Sequence, residues 1–501
     1  CVAVIDPLRP DDTSPCKELA GVGVAFKLAA ALEDGEYAAV LDDYLDIVTL
    51  GTIADIVPLT GENRTLVSRG LAAIQNTSRP GLIALMESLS LGDKAVNSST
   101  VAFALAPKIN AAGRMDTADD ALELLITEDF DRAAALAQSL QQQNAARQAI
   151  ETRILSEVAA LFERDRSYET DPVLVVAGKG WHPGVIGIVA SRLVDTYGKP
   201  AFVISIPETG DAKGSCRSLA DFSLYEALQK CAPYLTKFGG HTLAAGFSVA
   251  EENIPDFRRA MNQCARDFGE IVPALPIDCR LNPVNLNLGV LDSIALLEPF
   301  GASNPGPVFG LMGLKISNVR GIAANKHLRL TLTKQNATLT ALYFGQTPDA
   351  FPYAAGDTVD LAVRLEKNEY MGQTSLSIQV RDIRPAGTDD TVLFPALAAL
   401  HRAERGLSLT EEEKRLLLPD RRLIERVFTY VKNHAGTRLS GELIAMRCGE
   451  PPANAPKVYT ALAALTELGI LRRQNGALYV SVGAKASLNA SKLLLGLGYR
   501  G

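Results

Sequence analysis

Apolar residues recur at helical spacing through the first part of the chain and at period two further on. GVGVAFKLAAAL (21–32) keeps one apolar side and predicts a helix, as do 118–125 and 131–160. From 126 to 165 the chain is rich in Ala, Gln and Arg with few breakers, the pattern of one long exposed helix bridging two lobes. The opening CVAVIDP reads as a buried strand, and YLDIVTL (44–50) as an apolar strand running into Gly51-Thr52. Near 171 the texture changes. PVLVVAG (172–178) predicts a strand, WHPGVIGIVASRLVDTYG (181–198) a loop then a helix, and KPAFVISI (199–206) a second strand, which together make a βαβ unit in a largely parallel sheet. From about 275, RLTLT and SLSIQV alternate cleanly between Gly and Asn punctuation, and five or six such strands suit a small β-barrel. PAGTDDT (385–391) reads as a linker. RRLIERVFTYVKNH, SGELIAMRCG and APKVYTALAALTELG predict three helices, and ILRRQNGALYVS a hairpin with Asn475-Gly476 at its tip, a winged-helix pattern. The fold class is α/β and multidomain.

Composition narrows this. The 501 residues exceed one core, so about three to four domains of ~100–200 residues are expected. An apolar share of 47% with 21% charged residues argues against wholesale disorder. No apolar run approaches the ~18–20 residues of a membrane span. Seven cysteines without a CxxC pair fit a reducing, cytoplasmic compartment better than a disulfide framework or zinc site. Residue 1 is Cys, already inside the apolar run, which suggests a fragment missing its N-terminal part, the alternative being a processed terminus. The net charge of −7 is uneven: residues 391–501 carry 16 Lys and Arg against 9 Asp and Glu, a net of +7, and the remainder is −14. A basic tail on an acidic body suggests polyanion contact, although basic surfaces often contact nothing.

Five segments could carry chemistry. In GTIADIVPL, Asp55 sits among Ile53, Ala54, Ile56 and Val57; a carboxylate in an apolar setting needs a cation or a hydrogen-bond network, so it is either a metal ligand or a loop or capping Asp. APKINAAGRMD (106–116) sets small residues beside Lys108, Asn110 and Arg114, donors suited to phosphate, or forms a tight loop with a solvated Arg. In GKGWHPGVIGIVASRL (178–193), His182 precedes a helix start that could hold an anion, and Arg192 follows on that helix; a structural loop histidine is the alternative. KGSCRS (213–218) offers Ser215, Arg217 and Ser218 as a phosphate clamp. FGGHTLAAGFS (238–248) offers Gly239 and Gly240 for backbone contact, and His241 to donate to a phosphate or orient a leaving group. Each of the last two also has a plain turn reading. No Walker loop, dinucleotide fingerprint or Ser-His-Asp set stands out.

GTIADIVPL, INAAGRMD, WHPGVIGIVASRL, GSCRS and GGHTLAAG, in that order, resemble the later motifs of the RecJ single-stranded-DNA exonucleases of the DHH phosphoesterase superfamily. LEPFGASNPGPVF (296–309) resembles the segment opening that family's nucleic-acid-binding barrel. The resemblance implies the C-terminal part of a DHH domain over 1–125, a connecting helix over 126–165, a DHHA1 domain over 166–270, an OB-fold over 271–386 and a winged-helix-like domain over 392–501. It implies a 5′-to-3′ single-stranded-DNA exonuclease of DNA repair and recombination using two divalent ions, Mn2+ or Mg2+. Asp55 falls on a metal-ligand motif and His241 on a catalytic one. Asn110, Arg114, Arg192, Ser215, Arg217, Ser218, Gly239, Gly240 and His241 fall on motifs that hold DNA phosphates. Single-stranded DNA is the implied partner, with a single-strand-binding protein and a recombination helicase beside it, and no membrane.

The family's Asp-x-Asp and Asp-His-His motifs precede the point where this sequence begins, so the 501-residue chain is expected to be inactive by itself while its parent is a nuclease. Tyr343, Phe344 and Tyr370, with Lys326, Arg329 and Lys367, are candidates for base stacking and phosphate contact on the barrel. Phe344 is otherwise a core aromatic of a strand. Arg472 and Arg473 are the candidate phosphate contacts of the C-terminal domain. Rival readings are a DHH-family phosphodiesterase or pyrophosphatase on small substrates, which the barrel disfavours, and a non-catalytic single-strand-binding replication scaffold.

Overall fold

The computed structural model describes residues 4–92, 94–165, 167–219, 222–268, 274–370, 373–474, 476–483 and 486–500. They form two compact units: Cys1–Leu275 with Leu297–Gly306, and Pro276–Leu296 with Pro307–Gly501.

The first unit opens with packed helices, and two expected strands are absent from its described residues. Residues 1–3 of CVAVIDP lie outside the described residues, while Val4 and Ile5 are 58% and 60% exposed and unpaired to any strand, so apolar composition alone misled there. The stretch expected as a strand before Gly51 belongs to the helix Tyr37–Ala54. Val40, Leu45, Val48, Thr52 and Ile53 are buried along it. A short apolar run cannot by itself distinguish a buried helix from a strand, and here helices on several sides bury most of its last turns.

The helix Phe130–Arg164 is not the exposed strut its composition suggested. Its buried stripe runs Ala133, Leu136, Ala137, Leu140, Asn144, Arg147, Glu151, Ile154 and Val158. The first four join the helical core with Leu82, Leu85 and Leu124, and the last two join the core under the following sheet with Trp181 and Val189. Ala and Gln dilute the stripe's apolar signal, which is why it reads as solvated.

Strands β1 (Leu174–Lys179), β2 (Ala201–Ile206), β3 (Ala212–Arg217), β4 (Lys237–Gly240) and β5 (Ala244–Val249) form a sheet ordered β1-β2-β3-β5-β4. Only β1 and β2 are parallel, joined through the helix Ile186–Tyr197; β2–β3, β3–β5 and β4–β5 are antiparallel. The expected largely parallel sheet is therefore corrected: one βαβ unit is extended by hairpin-like strands, which the short Gly-rich connections favour. Arg258, on the helix Ile254–Phe268, ties this sheet to the end of the long helix through Asp165 (2.9 Å) and Asp171 (2.8 Å), with its guanidinium 3.7 Å from the Tyr168 ring centre.

Hydrogen bonds from Ser167, then from Arg258, hold the Asp165 carboxyl down at about 2. A carboxyl with a depressed folded-state pKa stabilises above its ordinary value and loses that contribution as pH falls through the depressed one. Arg258→Ala is expected to cost about 1.5–3 kcal/mol of stability near neutrality for the lost charged hydrogen bonds, and so to lower the thermal midpoint. The gap between variant and wild type should narrow as pH falls from 3.8 toward about 2, which thermal melts over that range would show.

The segment Leu297–Gly306 packs with the first unit. Leu59 N–H donates to Ala302 O (2.8 Å), and Arg64 donates to Leu297 O (2.9 Å) and Glu298 O (3.0 Å).

In the second unit, β6 (Cys279–Arg280), β7 (Phe309–Ile322), β8 (His327–Lys334), β9 (Ala337–Tyr343), β10 (Thr358–Tyr370) and β11 (Gln373–Pro385) form one sheet. It is closed into a five-strand barrel because β10 pairs with both β11 and β7. Leu328, Leu330 and Leu332 point inward at period two. The segment 385–391 is short and anchored: Thr388 is buried, and Asp389 caps the helix Asp390–Glu404. Arg447, on the helix Gly441–Arg447, pairs with Asp357 of the barrel, and Leu443 joins the barrel core. The helices Arg421–Asn433, Gly441–Arg447 and Ala455–Glu467 and the hairpin β12 (Leu471–Gln474)–β13 (Ala477–Val480) are joined by further helices, Asp390–Glu404 and Glu411–Leu417. Asn475, expected at the hairpin tip, lies outside the described residues. The third helix of the set, Ala455–Glu467, is buried at Val458, Ala461, Leu462, Ala464 and Leu465, so it is a core element and not an exposed reading helix.

Candidate nucleic-acid interface

Period two explains the centre of the site. On β3, Gly214 and Cys216 turn into the core while Ser215 and Arg217 share the opposite, half-buried face. KGSCRS is thus a strand, not a turn. Cys216 donates to Ala245 O (3.3 Å), and burial pushes its thiol up to about 12, leaving it inert. Arg217 Nη1 donates to Cys216 O (2.8 Å) and Ser215 Oγ (3.3 Å), which fixes the guanidinium along the strand.

The helix Ile186–Tyr197 lays its first turn over this face. A Cβ on Gly187 would lie 3.0 Å from Ser215 Oγ and 3.3 Å from Arg217 Nη2, so glycine permits the close approach. Just before it, a Cβ on Gly184 would meet the Arg114 carbonyl at 2.1 Å, and Arg114 Nη1 reaches Gly184 O at 3.4 Å. His182 Nδ1 accepts the Gly184 N–H (3.1 Å), a loop-ordering contact. Arg114 therefore lies where the helical region meets the sheet region of the first unit. Burial lowers its pKa, and the charges of Arg147 and Arg217 lower it further.

INAAGRMD is helical, the end of Ala106–Met115, and not a loop. Ala111 and Ala112 face the core, so they do not serve backbone approach to a ligand. Asn110 and Arg114, with Asp55, line one cavity of about 640 Å³ together with Gly21, Gly51 and Ala106. Asp55 ends the helix Tyr37–Ala54 and is exposed, with Ile56 beside it 76% exposed. The apolar setting expected for Asp55 is corrected, because the run around it ends at solvent.

The β4–β5 turn completes the rim. Ala244 lies opposite Arg217 in the sheet, His241 N–H donates to Ala244 O (2.8 Å), and Gly240 has φ +141° with Ala245 packed against it. Gly239, Gly240 and His241 are exposed there. Two candidates are turned to other work. Ser218 Oγ donates to Phe222 O (2.7 Å), closing the loop after β3, and Arg192 donates to Glu151 (3.2 Å).

Sequence reasoning missed the polar centre of the long helix. Arg147 donates to Glu151 (2.7 Å) and Asn144 (3.0 Å), all three buried. The available signal was their place on the 133–158 stripe, where apolar residues were due.

Among the described residues no group of three or more His, Cys, Asp and Glu side chains converges to hold a metal ion. Asp55 offers one exposed carboxylate, which does not make a complete site for a divalent cation.

On the barrel, Phe344 is 49% exposed beyond the end of β9, edge-on to His327 with centroids 5.2 Å apart. The core reading of Phe344 is thus corrected: it stands past the last paired residue of its strand. Burial raises the Tyr343 pKa, and the Tyr370 side chain lies outside the described residues. Arg472 lies 5.3 Å from the Tyr479 ring centre, and Arg473 is exposed.

The first unit thus carries cationic and hydroxyl groups on one sheet face, and the second unit is built on a closed barrel. A family model of the DHHA1 domain matches residues 170–267 and one of the RecJ OB domain matches 277–382. The single-stranded-DNA-specific exonuclease RecJ of Dickeya dadantii is 34% identical over 407 residues, 76% of this chain and 70% of that protein. The chain belongs to the RecJ family of single-stranded-DNA-specific exonucleases. RecJ of Bacillus subtilis is 36% identical over 431 residues, 83% of this chain and 54% of its own length. The crystal structure of Thermus thermophilus RecJ in complex with Mn2+ superposes with a TM-score of 0.66 at 34% identity, covering 76% of this chain and 55% of that one. The chain spans a little over half the length of these last two relatives. No helix among the described residues is long and apolar enough to cross a membrane.

Proposed function

We propose that this chain carries the strand-gripping part of a metal-dependent 5′-to-3′ exonuclease acting on single-stranded DNA in repair and recombination. The observation that supports it is the meeting of Arg114, Ser215 and Arg217 at the Gly184–Gly187 helix start, with the His241 turn at the same sheet end. Arg114 and Arg217 supply fixed positive charge to backbone phosphates, and Ser215 supplies a hydroxyl. In this reading Asn110 and the Gly239–His241 turn extend the contact, and His241 donates at a phosphate oxygen. Ser218 and Arg192 act through the loop and the helix that they brace. Grip on phosphate carries no base code, so binding is sequence-independent.

In this reading Asp55 offers a carboxylate to Mn2+ or Mg2+, the ions in the solved T. thermophilus structures. Because the described residues do not complete such a site, the 501-residue polypeptide is expected to bind a strand of roughly 30 nucleotides without Mn2+-dependent release of nucleotides. Fluorescence anisotropy with single strand, duplex and dinucleotide, paired with a nucleotide-release assay, tests this. Equal affinity for dinucleotide and long strand would favour a small-substrate phosphodiesterase, and efficient release would overturn the expected inactivity. The reading places the protein in the cytoplasm, beside a single-strand-binding protein and a recombination helicase; the six described cysteines are free thiols.

The barrel offers Phe344 as a stacking face. Phe344→Ala is expected to weaken single-strand binding by about 1–3 kcal/mol with the melting midpoint nearly unchanged, because half the ring is already in water. Unchanged affinity would remove Phe344 from the interface.

A further inference from the structure

The centre of the long helix holds an arrangement that neither the motif resemblance nor the strand-gripping face accounts for. Arg147 replaces an apolar residue on the buried stripe and is 9% exposed. Two acceptors hold it, Glu151 Oε2 at 2.7 Å and Asn144 Oδ1 at 3.0 Å. The other Glu151 oxygen accepts from Arg192 at 3.2 Å, so one buried carboxylate serves two guanidinium groups. The long helix packs against the helix Ala106–Met115, which bears Lys108, Asn110 and Arg114, and against Ile186–Tyr197, which bears Arg192. Across these packed helices the Arg147 charge bears on both Lys108 and Arg114, and the Arg217 charge bears on Arg114. Among the described residues Glu151 is the carboxylate paired with Arg147, and it is shared with Arg192.

We propose that Arg147 is a positioning residue, a fixed buried charge that keeps the Lys108–Arg114–Arg217 cradle short of negative charge until a phosphodiester enters. Glu151 sets the size of that deficit. Like charges held together by a fold repel, and an anion that relieves the repulsion binds more tightly than one meeting independent cations. Burial, followed by the Arg147 charge, lowers the pKa of both Lys108 and Arg114. The helix is then part of the site: it fixes how many positive charges the incoming strand must neutralise.

The proposal rests on the reading of this site as a single-strand cradle, and two variants of the full chain test it separately from that reading. Arg147→Gln and Glu151→Gln both break the same buried network, so both should melt earlier. A structural role predicts that both also weaken binding. A charge role predicts opposite signs. Anisotropy with a 5′-phosphorylated single strand should show Arg147→Gln binding roughly three- to tenfold more weakly, with a shallower salt slope. Glu151→Gln should bind more tightly with a steeper slope, and Arg147→Lys should recover part of the affinity lost in Arg147→Gln. Weakening in both glutamine variants, or a change in neither, overturns the role of Arg147. Failure of the unchanged chain to bind any single strand overturns the cradle itself.

Discussion

Arg217→Ala is expected to weaken single-strand binding by about ten- to a hundredfold, the loss of one charge-assisted contact worth about 1.5–3 kcal/mol. The strand places this guanidinium without help from the ligand. Its Nη1 is spent on Cys216 O and Ser215 Oγ, and Gly187 leaves Nη2 room beneath the first helical turn. Little rotamer freedom therefore remains to be lost on binding, which raises the worth of the contact. Arg217→Lys keeps the charge but not the planar fork, so it should recover only part of the affinity. The loss should shrink as salt rises, since one released counterion fewer flattens the salt dependence. Anisotropy titrations at low and high salt would show it; an Arg217→Ala chain with wild-type affinity and slope would take Arg217 out of the interface.

The same strand shows what a sequence can and cannot disclose. The residue types of KGSCRS were legible as a phosphate clamp, but only its being a strand puts Ser215 and Arg217 on one face, because period two is a property of the extended backbone. The βαβ unit was legible because a buried parallel pair is near-continuous Val, Ile and Phe, with a periodic helix between. The antiparallel remainder was not legible, because β3, β4 and β5 are short, Gly-rich and half exposed, and their direction depends on partners far along the chain. YLDIVTLGTIA was misread for a deeper reason. Buried on several sides, it lacks the polar face that reveals a helix. Asp55 then inherited a wrong environment from a composition window that ends at solvent. The Asn144–Arg147–Glu151 centre was hidden in the opposite way, since a polar residue on a helix reads as surface until the stripe on either side of it is followed.

Phe202→Ala is expected to cost about 3–5 kcal/mol, a large share of the ~5–15 kcal/mol that holds a typical domain folded. Phe202 is fully buried on β2, with Phe257 at 6.0 Å and 73° and Phe247 at 6.1 Å, and those two rings lie 5.0 Å apart. Removing the first ring leaves a cavity that the other two cannot fill without leaving β5 and the helix Ile254–Phe268. Phe202 also stands opposite Cys216, between Ser215 and Arg217, so a slackened β2 loosens the strand that aims both groups. Phe202→Leu keeps most of the volume and should cost far less, about 1.5 kcal/mol or below. Denaturant titration of the three chains separates the effects: the midpoint should fall steeply for alanine and slightly for leucine, with single-strand affinity following the same order. Alanine and leucine variants with equal midpoints would mean that the aromatic cluster is not what holds this sheet to its helix.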